Sequence, residues 1–580
     1  MKRPERLSIL LFLVVVVVGA LLSRSIGPAW DEPDNMFAGG VYWNFFAQGF
    51  NPAVFDTSKD TSSFFGGQVY PLDRNIWHLP PVYNYIGTAF AVAEEHFGAP
   101  KTGATVIVAY HMMTVLFLGL LVVMTYNVGL LMGLGPSWSL FAAASALLYP
   151  TLFGHGLSDS KDTAQAALFI TSLYFLVRAS LKENRKDLIL GGIVWGLGMA
   201  TKFNAIYVPI IWVAWRVITS CGGRLPFSRT AARNSLPSQQ TRSVHLVRSI
   251  HGLTTEVSAL VKRVFRLFSS IAILRKRQIA LHMFSQRNFS LIGDFVLVLF
   301  IGLLTAFLVW PYLWFTPLKH AMDVVQYFTN VGRGYKFYWE GHVYESGLGV
   351  SYWWYPLGSF LFGTPVPFLL CIFLGFVSVF GSLKQHKERI LLIIWIIIPF
   401  LRAFLPWASL YDQLRHFVET IPAFALVAAC FLSSLSRTRW KQFAIVVGGI
   451  VILHLAFINV LYFPYSAGYW NVLTPNPNKN FDRDVEALSV KEGVEYLHKK
   501  YGSFTAFIPI GAHLSWYYLG PHDGTFDYYH YENADSIIML NKSSHASNDS
   551  VITLVKDTYY IDHVIRRGNA IFAWIYRKKI

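Results

Sequence analysis

The sequence predicts a mainly α-helical, polytopic membrane bundle of about 11 spans, followed by a small α/β domain at the C-terminal end. Three observations predict it. Only 14% of the 580 residues are charged, against about 25% in an ordinary soluble domain. Mean hydropathy is +0.40. Apolar runs of the roughly 17–25 residues that cross hydrocarbon recur along the chain. Aromatic residues make up 16%, which suits belts at two membrane interfaces.

The runs, in order, are 7–23, 104–132, 137–154, 163–180, 187–201, 203–219, 291–310, 364–382, 389–407, 417–435 and 442–463. The fifth and sixth are separated only by Thr201-Lys202, and one continuous helix there would invert every later loop. The flanks fix the orientation. MKRPER at the start, 182–186, 221–290, 384–389 and 436–441 are all basic. With eleven spans and the first residues inside, all five fall on the cytoplasmic side, as the positive-inside rule requires. The first run also has the look of a signal peptide, and either reading leaves the next loop outside.

Of the formal net charge of +16, +11 sits in 221–290, where twelve Lys and Arg face the single acid Glu256. A basic excess of that size also suits nucleic acid. Between apolar spans it reads instead as a cytoplasmic insert against anionic lipid head groups, so no nucleic-acid partner is expected. Its Ser/Arg-rich composition with amphipathic patches predicts a partly disordered or membrane-adherent segment.

The far side then collects loop 24–103, turn 155–162, loop 311–363 and tail 464–580. Residues 1–463 form the transmembrane region, and 464–580 an extracytoplasmic domain. Segment 82–96 has helical apolar spacing that suits a helix lying on the membrane. In the tail, 489–501 reads as helix and 504–510 as strand. Asn541 and Asn548 open sequons there. Cys221, Cys371 and Cys430 show neither zinc spacing nor a disulfide framework.

Charges at the edges of spans carry the candidate chemistry, because they are costly there unless solvated or paired. Asp31 and Glu32 follow the first span in AWDEPDN, where a general base would meet a lipid-borne substrate. Asp159 and Asp162 in HGLSDSKD stand i, i+3 and share a helix face, a pattern that helix capping also explains. Both acidic clusters fall on one membrane face, where Asp31 and Asp162 are the pair that would share a divalent ion, if any. Lys202 interrupts an apolar stretch, and Arg415 and His416 stand at a span end. Such cations suit a phosphate at the membrane surface. Arg402 reads more simply as snorkelling to an interface. Walker, dinucleotide, HExxH and GxSxG signatures are absent, which fits a substrate delivered by the membrane.

In this order, the motifs DEPDN, GLSDSKDTAQAALF, GLGMATKFNA, WPYLWF, SYWWYPLGSFLFGTPVPFLL and YDQLRHFVETIPAFALVA resemble a GT-C-type glycosyltransferase. The group they resemble is protein O-mannosyltransferase-like (glycosyltransferase family 39 and relatives). Insert 221–290 and the lack of a β-trefoil depart from that group. The resemblance implies a polyprenyl- or dolichyl-phosphate-linked sugar as donor, a hexose such as mannose, and an acceptor hydroxyl on a glycan, lipid or protein. It implies inversion at the anomeric centre. It makes Asp31 the base, Glu32 its helper, and Asp162 the second acidic position ahead of Asp159. Lys202, Arg415 and His416 become the group beside the departing phosphate; a metal is allowed but not required. A bacterial inner membrane is the expected site, with the endoplasmic reticulum as the alternative. The rival readings are a lipid-linked-glycan flippase and an assembly protein whose tail binds a partner. A flippase would place charges near the midplane on repeated, broken helices, whereas these acids stand at span ends.

Overall fold

The structure is a computed structural model that describes residues 3–55, 79–98, 102–158, 160–221, 286–520, 522–526, 533–544, 555 and 557–579. Each of the eleven apolar runs contains a helix. Seven helices among the described residues are long and apolar enough to cross a membrane, and the chain is an integral multi-pass membrane protein. The other four runs are shorter or bent.

Helix α1 (Arg3–Ser23) leads to α2 (Glu32–Ala47) and α3 (Val82–His96). Segment 82–96 is therefore helical to the residue, and it packs on α4 (Gly103–Leu131) and α2. Helix α2 was not expected: DEPDN is a helix start rather than loop, with Asp31 at the N-cap and Pro33 in the first turn. Thr102 caps α4 reciprocally with Thr105, its Oγ1 accepting from the Thr105 N–H at 3.3 Å while Thr105 Oγ1 accepts from the Thr102 N–H at 3.2 Å.

The run 137–154 is not one straight span. It divides into α5 (Pro136–Leu147) and α6 (Pro150–Ser158), bent by 66°. A proline cannot continue the preceding ladder and restricts the residue before it, so the break falls at Leu148-Tyr149. The predicted turn 155–162 is corrected with it, because α6 runs to Ser158 and α7 (Ser160–Lys182) starts two residues later. Asp159 lies outside the described residues, as do most of the insert 221–290 and Asn548.

Helix α8 (Arg185–Met199) returns antiparallel to α7. Arg178 closes the hairpin with a fork on Asp187, Nε at 2.7 Å and Nη2 at 2.5 Å. The chain does break at Thr201-Lys202. Lys202 is extended, with φ −159° and ψ 140°, and a 3-10 turn at 203–206 precedes α9 (Tyr207–Cys221). Helix α10 (Gln286–Leu308) packs on α8 at glycine contacts: a Cβ on Gly192 would sit 3.2 Å from Ile301, and Gly196 meets the Gly302 carbonyl directly. Large apolar side chains on α10, among them Phe300 and Leu303, are exposed and face the lipid.

Loop 311–363 contains α11 (Pro317–Asn330), the hairpin β1 (Lys336–Trp339) and β2 (His342–Glu345), and α12 (Trp354–Gly363). Helix α13 (Val366–Ser382) and α14 (Ile390–Leu401) follow; the predicted run 389–407 is helical only to Leu401 and then turns 3-10. Helices α15 (Ile421–Ser436) and α16 (Lys441–Tyr462) complete the bundle. The basic flanks 384–389 and 436–441 gather at one end. There Arg389 donates to the Met132 carbonyl and Arg437 to the Gly133 carbonyl, each at 3.4 Å.

The C-terminal domain is a five-stranded mixed sheet ordered β4-β3-β5-β7-β6. Its strands are β3 (Thr505–Phe507), β4 (Gly524–Phe526), β5 (Ser536–Leu540), β6 (Tyr559–Arg567) and β7 (Ala570–Lys578). Helix α17 (Ser489–Tyr501) buries Val490, Val494 and Leu497 against Ile538 and Ile575 of this sheet. The same apolar cluster includes Ile26, Val115 and Leu157 of the bundle, so the domain sits on the helix ends without a gap. Gly154 of α6 allows the closest approach, since a Cβ there would lie 2.6 Å from the Ala467 nitrogen. Asn541 is buried and donates to the carbonyls of Ile571 at 2.8 Å and Asn478 at 3.2 Å, so its sequon is spent on structure.

Candidate active site

Opposite the basic end, five segments distant in sequence bring their charges together around Arg415, which is 1% exposed. Its Nε donates to Asp162 at 2.9 Å. Its Nη1 lies 3.1 Å from Asp412 and 3.3 Å from Glu486, and its Nη2 holds Asp31. One planar fork thus joins the first acidic segment, the start of α7, the 411–414 loop and the C-terminal domain. A lysine attends each of the three aspartates. Lys161 meets Asp31 at 2.5 Å, Lys202 bonds Asp162, and Lys542 meets Asp412 at 2.9 Å. Lys542 also lies 5.6 Å over the Trp30 ring and donates to the Val485 carbonyl at 2.6 Å.

The backbone is strained where these segments meet. Asp412 and Gln413 both have positive φ, 51° and 57°, and so does Ala487 beside Glu486, at 57°. Non-glycine residues hold such angles only where their surroundings over-determine them. Here Asp412 is gripped by two cations, and the Gln413 N–H donates to the Tyr355 hydroxyl at 2.9 Å.

The four carboxylates differ in access. The Asp31 side chain is 28% exposed, against 1% for Asp162 and 2% for Glu486. Burial alone would raise the Asp31 carboxyl, but the charges of Lys161 and Arg415 overcome it and hold it well below the usual carboxylate range. Asp31 is therefore an ionised carboxylate facing outward. Glu486 goes the other way: burial pushes it up to about 7 against the pull of Arg415. Asp482, also in the C-terminal domain, is pushed by burial to about 6.

The predicted residues separate into three sets. Asp31, Asp162, Lys202 and Arg415 come together as expected. His416 joins at the edge, with Nδ1 3.3 Å from Lys202. Beyond it, Asn204 bridges Glu419 at 3.3 Å and Arg402 at 3.2 Å, so Arg402 ends in a polar network rather than at a lipid interface. Glu32 turns away from its neighbour. Its Oε2 lies 3.0 Å from His111 Nε2 and accepts from the Ala29 N–H at 2.8 Å, which braces the turn that presents Asp31. Lys161, Asp412, Glu486 and Lys542 were not anticipated. Lys161 stands inside the HGLSDSKD motif, and its position one residue before Asp162 was the available signal.

The donor set does not fit a metal shared by Asp31 and Asp162. A guanidinium lies between those carboxylates; it shares Asp31 Oδ2 with Lys161, and on Asp162 it takes Oδ2 while Lys202 takes Oδ1. No group of three His, Cys, Asp or Glu residues is placed to hold an ion among the described residues.

Residues 80–232 match the family model described as dolichyl-phosphate-mannose-protein mannosyltransferase. Asp162 and Lys202 fall inside that stretch. No curated protein matches the chain. Two solved structures of ArnT from Cupriavidus metallidurans are similar, one bound to undecaprenyl phosphate and one in the apo state. They are 13% and 14% identical to this chain, each covering 98% of it and 97% of their own length, with a TM-score of 0.43.

Proposed function

We propose that the chain is a GT-C-type membrane glycosyltransferase. It moves a sugar, a hexose such as mannose, from a polyprenyl or dolichyl phosphate to an acceptor hydroxyl on the extracytoplasmic face. The observation that carries this reading is the Arg415 fork, which ties the accessible carboxylate Asp31 to a nest of cations at one end of the helix bundle. The family match over Asp162 and Lys202 supports it. The basic flanks at the opposite end support the side, and a bacterial inner membrane is the setting that fits best.

The chemistry follows from the charges. An acceptor hydroxyl enters beside Asp31, which orients its proton. The acceptor oxygen attacks the anomeric carbon as the bond to the donor phosphate breaks, so the new bond forms opposite the old one and the centre inverts. The hydroxyl proton is lost through Asp31. As an ionised carboxylate with a low pKa it is a weak base, so its contribution is orientation and charge as much as proton transfer. The phosphate departs with the electron pair and an added negative charge, which Arg415, Lys202 and Lys161 stabilise from preset positions. A flippase would need such charges along a path through the bundle, whereas these gather at one end.

The test is transfer by the purified protein from labelled polyprenyl-phosphate sugars to acceptors in cell extract. Asp31→Asn is expected to lower turnover by roughly 10²- to 10⁴-fold. Equal turnover would sink the role of Asp31, and wild type that consumes no lipid-linked sugar would sink the enzyme.

A further inference from the structure

Among the four carboxylates on Arg415, Glu486 is the exception. Each aspartate has its own lysine, while no lysine stands within ion-pair distance of Glu486 among the described residues. Its contact with Arg415, at 3.3 Å, is the longest of the four. It comes from the C-terminal domain and not from the bundle. The titratable and charged groups around it are Arg415, His155 of α6 at 3.5 Å, Asp412 of the 411–414 loop, Asp31, and Lys542 of its own domain. Arg415 and the three lysines balance the four carboxylates when all are ionised. One further negative charge leaves the buried site unbalanced. Arg415 gives hydrogen bonds to the three aspartates, while neither oxygen of Glu486 accepts one among the described residues.

We propose that Glu486 is the exchangeable counter-ion of this site: it neutralises Arg415 while no donor is present, and takes a proton and releases Arg415 when a lipid-linked phosphodiester brings in its single negative charge. The carboxylate gains the proton from solvent, so charge is conserved within the site. This rests on the reading of the cluster as a donor site. The elevated affinity of Glu486 for a proton, a consequence of burial, puts the exchange near neutrality. The sign follows: binding favours the protonated carboxyl, so it tightens as pH falls through about 7 and weakens above. The C-terminal domain, through Glu486, thereby becomes part of donor binding.

The test uses the full chain in detergent and a polyprenyl methyl phosphodiester, whose own charge is constant in the range. Titration calorimetry at about pH 6.5 and about pH 8.5 is expected to show wild type binding roughly tenfold more weakly at the higher pH. Two buffers of different ionisation enthalpy should report uptake of close to one proton on binding at about pH 8.5, and a smaller uptake at about pH 6.5. Glu486→Gln should bind at the higher pH as tightly as wild type does at the lower, with no uptake. His155→Gln should keep the dependence. Burial raises Asp482 only to about 6, below Glu486. Retention of the wild-type pH dependence by Glu486→Gln overturns the proposal, as does wild-type binding that is tight at both values without proton uptake. The wild-type uptake decides the matter even if the variant fails to fold. Absence of binding by wild type at either pH overturns the donor reading and the proposal together.

Discussion

Arg415 is positioned by geometry that a lysine does not reproduce. A guanidinium offers five N–H donors in a plane; here they hydrogen-bond Asp31, Asp162 and Asp412, with Glu486 at ion-pair distance. Arg415→Lys keeps the charge and loses the fork. It is expected to cut turnover by roughly 10²-fold and to lower the melting temperature, measured by transfer assay and thermal unfolding in the same detergent. Unchanged turnover would show that charge alone suffices. Of this site, the sequence disclosed the charges that are expensive where they stand. Asp31, Asp162, Lys202 and Arg415 border apolar runs, and hydrocarbon penalises them unless they are paired. Glu486 and Lys542 lie in a polar tail, where an acid or a lysine costs nothing by local composition. Only the folded contact with the bundle singles them out. Glu32 misled for the opposite reason: adjacency in sequence says nothing of direction at a helix start, where neighbouring side chains diverge by about 100°.

Among the elements, the α8–α9 junction at Thr201-Lys202 was the uncertain step, and Lys202 resolves it. Asp162 begins α7 and Lys202 follows α8, so their ion pair requires the chain to travel out and back. Helix α8 has 15 residues, about 22 Å at the usual rise, short for a full span. It compensates by lying against α10 with almost no side chain between. The Gly196→Val variant places methyls where the Gly302 carbonyl stands. Overpacking of this kind costs about 1–3 kcal/mol, and the variant is expected to melt earlier in detergent. An unaltered melting curve would mean that the contact is loose. The hydrophobic period revealed these helices because each has a lipid face and a packed face. It did not reveal the α5–α6 bend, since both halves are apolar and the period carries across a proline. Nor did it reveal α2, whose buried side includes Glu32, Asn35 and two glycines, a mixture that no apolar stripe announces.

Over the whole molecule, the two ends of the bundle have opposite chemical character. Arg389 and Arg437 mark one, and the Arg415 cluster marks the other. Because α15 begins beside the cluster and ends beside Arg437, a single helix fixes the separation. A cysteine replacing Lys384 is expected to resist an impermeant thiol reagent applied to intact cells, and one replacing Lys499 to react. The reverse pattern would place the site in the cytoplasm and remove the proposed donor topology. The sequence made this polarity legible through its basic flanks, five of which fall on one side in the expected eleven-span order. How closely the C-terminal region approaches the bundle was not legible, because its nearest contact is made by two small residues, Gly154 and Ala467.

Gly154 has space for nothing larger against Ala467, and Gly468 likewise against the Arg483 carbonyl. The first contact ties a half-helix of the bundle to the first turn of the tail, the second ties that turn to Arg483, and the tail then carries Glu486 to Arg415. A hybrid gene joined between 464 and 486 would part residues that have to be inherited together, however alike the two tails looked. Drift at position 154 is answerable only at 467, some 300 positions later. Such distant pairs, rather than the long apolar runs, are where lineages of this protein would be expected to change in step.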